Sequence, residues 1–367
     1  MSTYSDTFRE LRSPGRVAHT PRAALAPARG LRLAAGVMLP LSLGVLLGHP
    51  QYGVYAALGA LPSGFAAMFG EGRKRAGAVA LAAAGMALGA FVGALAAANP
   101  PLLVLVAAVF AYAAGIVGAF SDRIAVAALQ WPGALLIATS TPDGPRQAAV
   151  RGGLVLAGGL GQAVLVALAA RAETAAVKDT VGDGDAPSTA RPDRLPRRSP
   201  RAFTRYLVGT VRTHLGLSTE HGQHALRLAV TAATAQSAAL LLGLPHPYWA
   251  ALTAVLVLKT DHVLTVRRSL DRIGGTAFGV LFGLLLAALA QLGTVPLLLG
   301  AGLVIALGYT VFTANYFLFS VFLTGFVVLL LDLLGDSARS TVGPRLLATL
   351  LGGVIALVAS HVRPAAA

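Results

Sequence analysis

Long apolar stretches broken by short polar joints dominate the chain. An α-helix needs about 17–25 such residues to cross a hydrocarbon core. Twelve stretches of that kind occur in two sets of six. The first set lies at 31–48, 52–69, 76–98, 101–120, 123–140 and 147–171; the second lies at 224–243, 247–264, 272–292, 295–312, 316–335 and 341–362. The count falls to ten if one short pair is re-entrant. The run from Ala76 to Ala98 is apolar all round, whereas a helix of a soluble bundle keeps a polar stripe. The pattern predicts an all-α polytopic membrane protein of about 12 transmembrane helices, arranged as two parallel six-helix repeats. Its expected parts are a basic tail (1–30), a first repeat (31–171), a partly disordered linker (172–223), a second repeat (224–363) and a short tail (364–367).

Composition narrows the class further. Of 367 residues, 56% are hydrophobic and only 12% charged, about half the charge of an ordinary soluble domain. The mean hydropathy of +0.71 also excludes a disordered chain, which lacks apolar residues. With no Cys, disulfides, thiolate metal sites and Cys nucleophiles are excluded. No cleavage site closes the first apolar run, so the first span is expected to remain as a membrane helix.

The net charge of +14 changes the picture through its placement. Alternating sides from a cytoplasmic N-terminus puts 25 of the 29 Lys and Arg on one face, leaving Arg146, Arg151, Arg339 and Arg345 on the other. That is the positive-inside pattern, which places both termini and the linker in the cytoplasm. It is not the aromatic-interleaved basic patch of a nucleic-acid binder. The scarcity of Lys beside so much Ala, Gly and Pro suggests a bacterial, GC-rich source and an inner-membrane location.

The two sets resemble each other in order. Leu31-Arg32-Leu33-Ala34 matches Leu226-Arg227-Leu228-Ala229. Gly85, Gly89 and Gly93 match Gly275, Gly279 and Gly283; Arg146 matches Arg339; and Gly158-Gly159 matches Gly352-Gly353, all at offsets of 190 to 195. Six spans per unit gives parallel repeats, with a substrate path expected between them. The glycine rows read as helix-packing faces. Between the halves, 176–200 is polar and Pro-rich and reads as disordered. The stretch after it, with Arg201, Arg205 and Arg212, reads either as an amphipathic surface helix or as a plain linker.

Residues 245–289 (PHPYWAALTAVLVLKTDHVLTVRRSLDRIGGTAFGVLFGLLLAAL) carry a Tyr248-Trp249 pair opening a span, a basic turn, and a step of Arg272, Gly275, Thr276 and Gly279. These features, with 315–335, resemble the fusaric acid resistance family of bacterial inner-membrane proteins. The resemblance covers most of 224–363. It is weak in 31–171, where Tyr55 stands in for the Trp and Arg73-Lys74-Arg75 for the basic turn. It implies export of aromatic and other organic carboxylic acids, with plant aluminium-activated malate channels as distant relatives. Many members carry large cytoplasmic domains, which are not expected here.

Charges within a span are costly, at about 2.5–3.5 kcal/mol or more at the bilayer centre, and default to functional candidates. Lys259, Asp261, Arg267, Arg268 and Arg272 form the main cluster. They read either as an attractor for an organic anion or as an interfacial group in which Lys259 snorkels and pairs with Asp261. Arg272 could also neutralise carbonyls or anchor lipid phosphate. Asn315, Thr324 and Asp332 form a second group, with Asp332 a proton-exchange candidate near the outer end of its span. Asp122-Arg123 reads as a loop ion pair. His221 and His224 are spaced for a metal but lack a third ligand. No P-loop occurs, so neither a cofactor nor enzymatic activity is expected. The expected partners are membrane lipid, a small organic anion and possibly a second copy of the chain, but no nucleic acid. Three functions stay open: a secondary exporter of organic anions, a passive anion channel, and a membrane scaffold.

Overall fold

The computed structural model describes residues 22–69, 73–140, 143–180, 219–288, 292–335 and 338–361. Prolines open several helices, because a helix's first turn has no use for their missing N–H. The first six helices are α1 (Pro27–Leu46), α2 (Pro50–Ala66), α3 (Arg73–Ala96), α4 (Pro100–Gly118), α5 (Asp122–Ala138) and α6 (Pro145–Thr180). The second six are α7 (Glu220–Leu241), α8 (Tyr248–Val257), α9 (His262–Ala287), α10 (Thr294–Val311), α11 (Tyr316–Leu333) and α12 (Ala338–His361). Gly48 and Gly243, 195 residues apart, follow α1 and α7 at φ of 74° and 62°, the left-handed setting that favours glycine after a helix.

Eight helices among the described residues are long and apolar enough to cross a membrane: α1, α3, α4, α6, α9, α10, α11 and α12. The molecule is an all-α, polytopic membrane protein with large apolar side chains facing outward. Leu39, Leu285 and Leu299 are 61%, 75% and 70% exposed. Two expected boundaries are corrected. The expected span at 247–264 is a helix of ten residues, about 15 Å long. The ninth helix starts at His262 instead of 272 because the Asp261 carboxylate accepts the Leu264 N–H at 3.0 Å and caps it there. In addition, α6 runs nine residues past 171, carried by a sequence with Ala172, Glu173, Ala175 and Ala176, residue types that favour helix without an apolar layer. The rest of the expected linker, from 181 to 218, the tail up to 21 and residues 364–367 lie outside the described residues.

Helix pairing follows one scheme in both halves. In the first, α3 packs on α5 and α6, α2 on α1 and α6, and α4 on α5. In the second, α9 packs on α11 and α12, α8 on α7 and α12, and α10 on α11. The halves meet through α1 against α10 and α4 against α7. Gly30 of α1 lies on Thr310 of α10, and Ala225 of α7 lies on Gly115 of α4; each residue of one contact is 195 positions from its counterpart in the other. Around the first contact, the Tyr309 hydroxyl donates to the Leu61 carbonyl at 2.6 Å. Phe65 stacks on Phe312 at 4.7 Å and meets Phe319 edge-on at 5.2 Å.

Glycine sets these distances. Gly85, Gly89 and Gly93 of α3 face Trp131 and Leu135 of α5, while Gly275, Gly279 and Gly283 of α9 face Ser320, Thr324 and Val328 of α11. A methyl at Gly89 would stand 2.7 Å from the Trp131 carbonyl oxygen, and one at Gly279 would stand 2.6 Å from that of Val321. Gly158 and Gly352 likewise rest on the carbonyls of Ala56 and Ala250. Gly161 has nothing within 4 Å. Gly89→Ala and Gly279→Ala should each cost about 1–3 kcal/mol through overpacking, whereas Gly161→Ala should gain up to about 1 kcal/mol of helix propensity. Thermal unfolding of the detergent-purified variants checks this; equal shifts at all three sites would refute the packing account.

Candidate functional site

Two arginines lie buried in the second half. Arg272 of α9 is 4% exposed and Arg345 of α12 is 6% exposed, near enough for their charges to repel. The Arg345 guanidinium sits over the Trp249 ring, 4.8 Å from its centroid. Neither forms an ion pair among the described residues, and Arg345 Nε and Arg272 Nε and Nη1 are buried without a hydrogen-bond partner. A cation withdrawn from water without a counter-charge costs several kcal/mol. A guanidinium with free donors can grip a planar carboxylate with two parallel hydrogen bonds.

The first half handles its own buried arginine differently. Arg151 lies 194 positions before Arg345, and Tyr55 lies 194 before Trp249. Arg151 sits over Tyr55 at 4.7 Å. It also donates to the Ala138 carbonyl at 2.6 Å and pairs with Asp143, so its charge is answered within the protein. Arg272 has no such counterpart, because Ala82 stands 190 positions earlier. Around Arg272 the contrast repeats: Ser269, Thr276 and Thr324 correspond to Val79, Met86 and Ala134. The hydroxyls of Ser269, Thr276, Ser320 and Thr324 are buried without partners. Of the 14 buried, unpartnered side-chain atoms among the described residues, 12 lie in the second half. The seam between α3 and α5 thus has its polar groups answered, with Trp131 Nε1 donating to the Leu81 carbonyl and Gln130 to that of Val126, whereas the seam between α9 and α11 holds hydroxyls without partners.

The other expected site residues are spread over several roles. Asp261 caps α9 and forms no ion pair with Lys259, which corrects that expected pairing. Lys259 lies in an extended joint after α8. Its N–H donates to Thr265 Oγ1 at 3.0 Å, and the Thr265 hydroxyl donates to the Asp261 carbonyl at 2.9 Å. The Lys259 ammonium is surrounded by protein although the residue keeps some exposure. Burial, with the Arg268 charge second, lowers its pKa to about 8. Arg267 is exposed, and Arg268 lies over the Tyr316 ring at 4.1 Å. Asn315 is the N-cap of α11, accepting the Leu318 N–H at 3.0 Å. Asp332 is half-buried in the last turn of α11. Asp122 and Arg123 form no ion pair, a further correction: Asp122 opens α5, where a carboxylate suits the helix N-terminus. His262 Nδ1 lies 2.8 Å from Ser360 Oγ.

Sequence reading missed Arg345 and Arg151. It paired Arg146 with Arg339 at an offset of 193, whereas the offset of 194 already shared by Gly158 and Gly352 joins Arg151 to Arg345.

The chain is similar to two uncharacterized bacterial proteins. One, from Synechocystis sp., is 33% identical over 137 residues, covering 37% of this chain and 18% of that protein. The other, from Haemophilus influenzae, is 34% identical over 134 residues, covering 36% of this chain and 18% of that protein. The chain thus spans about a fifth of the length of either relative. No solved structure matches. Residues 231–359, which hold both Arg272 and Arg345, match the model of the family described as fusaric acid resistance protein-like.

Proposed function

We propose that the chain is a multi-pass transporter of small organic anions in the cell's inner membrane, exporting aromatic carboxylic acids. The observation that carries this reading is the Arg272–Arg345 pair, two buried positive charges with no carboxylate partner among the described residues. The two halves, 31–171 and 224–363, arose by duplication, to which the doubled pairing scheme and the repeated Gly30–Thr310 and Ala225–Gly115 contacts lend support. The second copy acquired the polar seam and became the binding half, and the first remained its scaffold. Both termini and the central interval lie in the cytoplasm, the face that collects 25 of the 29 Lys and Arg. Lys259 and Arg268, in the joint and first turns that face the cytoplasm, draw the anion toward Arg272.

The test is efflux of radiolabelled benzoate from proteoliposomes holding the full-length protein. Arg272→Met and Arg345→Met should each weaken transport by the worth of a buried charge contact, about 2–5 kcal/mol and hence at least tenfold in half-saturating concentration. Arg272→Met should also leave thermal stability unchanged or raise it by about 1–4 kcal/mol, since it removes an unpaired buried charge. Lower stability with unaltered transport would identify a structural arginine and overturn the assignment. Unitary currents in planar bilayers would replace the carrier with a channel.

Lys259 adds a pH dependence. Its charge is lost as pH rises through about 8, so anion affinity at the cytoplasmic face should fall between pH 7 and 9 and flatten in Lys259→Arg. The folded chain then binds fewer protons than the unfolded one between about 8 and 10.5, so this residue makes stability rise with pH across that window.

Orientation is checked on a chain with no native Cys. A membrane-impermeant maleimide should label Gly243→Cys from outside intact cells and leave Lys74→Cys unlabelled; the reverse result would invert the topology.

A further inference from the structure

A second cationic site lies away from the seam, at the end of the first half where α1 and α3 begin and α6 leaves the apolar layer. Arg29 and Arg32 of α1, Arg75 of α3 and Glu173 of α6 line a cleft walled by Leu165 and Val166. Arg32 pairs with one Glu173 oxygen at 2.9 Å, and Arg75 approaches the other at 3.7 Å. Arg29 makes no direct ion pair but lies near enough to feel the charges of Arg75, Glu173 and Arg32. Arg32 and Arg75 thus meet at the Glu173 carboxylate, and Arg29 adds a further guanidinium to the cleft with no ion pair among the described residues.

The surroundings indicate what answers the excess. On the same helices, Leu31 is 67% exposed, Val164 57% and Leu168 53%, so an outward apolar surface continues from the cationic rim. A ligand fitting both parts has a phosphate at one end and hydrocarbon at the other. Basic pockets between helices at the cytoplasmic surface suit anionic lipid headgroups in this way. The match of planar guanidinium donors to phosphate oxygens adds geometry to charge.

We propose that this cleft binds the headgroup phosphate of an anionic phospholipid, with its acyl chains lying along the outer faces of α1 and α6. Glu173 spaces the arginines while the site is empty and yields part of its contact when the phosphate enters. The site is independent of Arg272 and Arg345, so it stands whether or not the chain transports anions.

The experiment titrates detergent-purified full-length protein with dioctanoyl-phosphatidylglycerol, dioctanoyl-phosphatidylcholine or inorganic phosphate, and reads bound ligand by native mass spectrometry. Phosphatidylglycerol should bind more tightly than phosphatidylcholine. The preference should fall about fivefold in Arg29→Gln, the worth of one cation near an anionic surface. Glu173→Gln removes the competing carboxylate and should tighten phosphatidylglycerol binding severalfold, a readout that survives if an arginine variant fails to fold. Equal binding of the two lipids, an unaltered preference in Arg29→Gln, or weaker binding in Glu173→Gln would each overturn the proposal. Inorganic phosphate binding as tightly as phosphatidylglycerol would assign the cleft to a soluble phosphate instead and overturn the lipid.

Discussion

Direct contact of helix backbones across glycine is the constraint on which the rest of the structure depends. Inside a bilayer, burying one leucine against another gains little over burying it in lipid, so helices associate through close packing. Gly89 on the Trp131 carbonyl, Gly279 on that of Val321, and Gly158 and Gly352 on those of Ala56 and Ala250 supply such contacts in both halves. Each sets two helix axes near their minimum separation and fixes which side chains meet on either flank. The seam between α9 and α11 exists because Gly275 and Gly279 bring Ser320 and Thr324 against α9, on whose buried face Arg272 and Thr276 also lie.

The same constraint makes buried polar groups informative. Each unsatisfied group in hydrocarbon costs several kcal/mol, so selection removes it or supplies a partner. The first half goes further in that direction: Arg151 reaches Asp143 and the Ala138 carbonyl, Val79, Ala82 and Met86 stand where the second half has Ser269, Arg272 and Thr276, and Arg151 Nε and Gln162 Oε1 are its unpartnered buried atoms among the described residues. In the second half, five hydroxyls and three guanidiniums keep buried atoms without a hydrogen-bond partner among the described residues. Because the two halves share one pairing scheme, folding alone does not require that polarity.

Much of the architecture was legible in the sequence. Hydrophobic length located nine of the twelve helices to within a few residues, and the glycine spacing identified the packing faces of α3 and α9. Two kinds of information were less accessible. The break after Val257 depends on Thr265 and Asp261 competing for backbone groups of the joint, a local preference that an apolar-run count ignores. The burial of Arg345 depends on Trp249, nearly one hundred residues away, and on a one-residue choice of repeat register. Arg272 could be singled out because it ends a basic turn and opens the step with Gly275 and Thr276, whereas Arg345 follows a polar joint and looks like an ordinary boundary residue.

The two buried arginines also constrain one another. Alone, Arg345 over Trp249 would be a tolerable structural element, since a desolvated cation on an indole face gains about 2 kcal/mol or more. Adding Arg272 nearby removes that tolerance, because like charges in a low-dielectric interior raise each other's cost. Arg151 answers the same problem with a carboxylate that is part of the chain. A permanent carboxylate beside Arg272 would occupy its guanidinium donors; in the transporter proposed above, those donors stay open for the anion to load and leave. The cost of that openness falls on a half that packs, through α1 on α10 and α4 on α7, against the first, where Arg151 has its ion pair with Asp143.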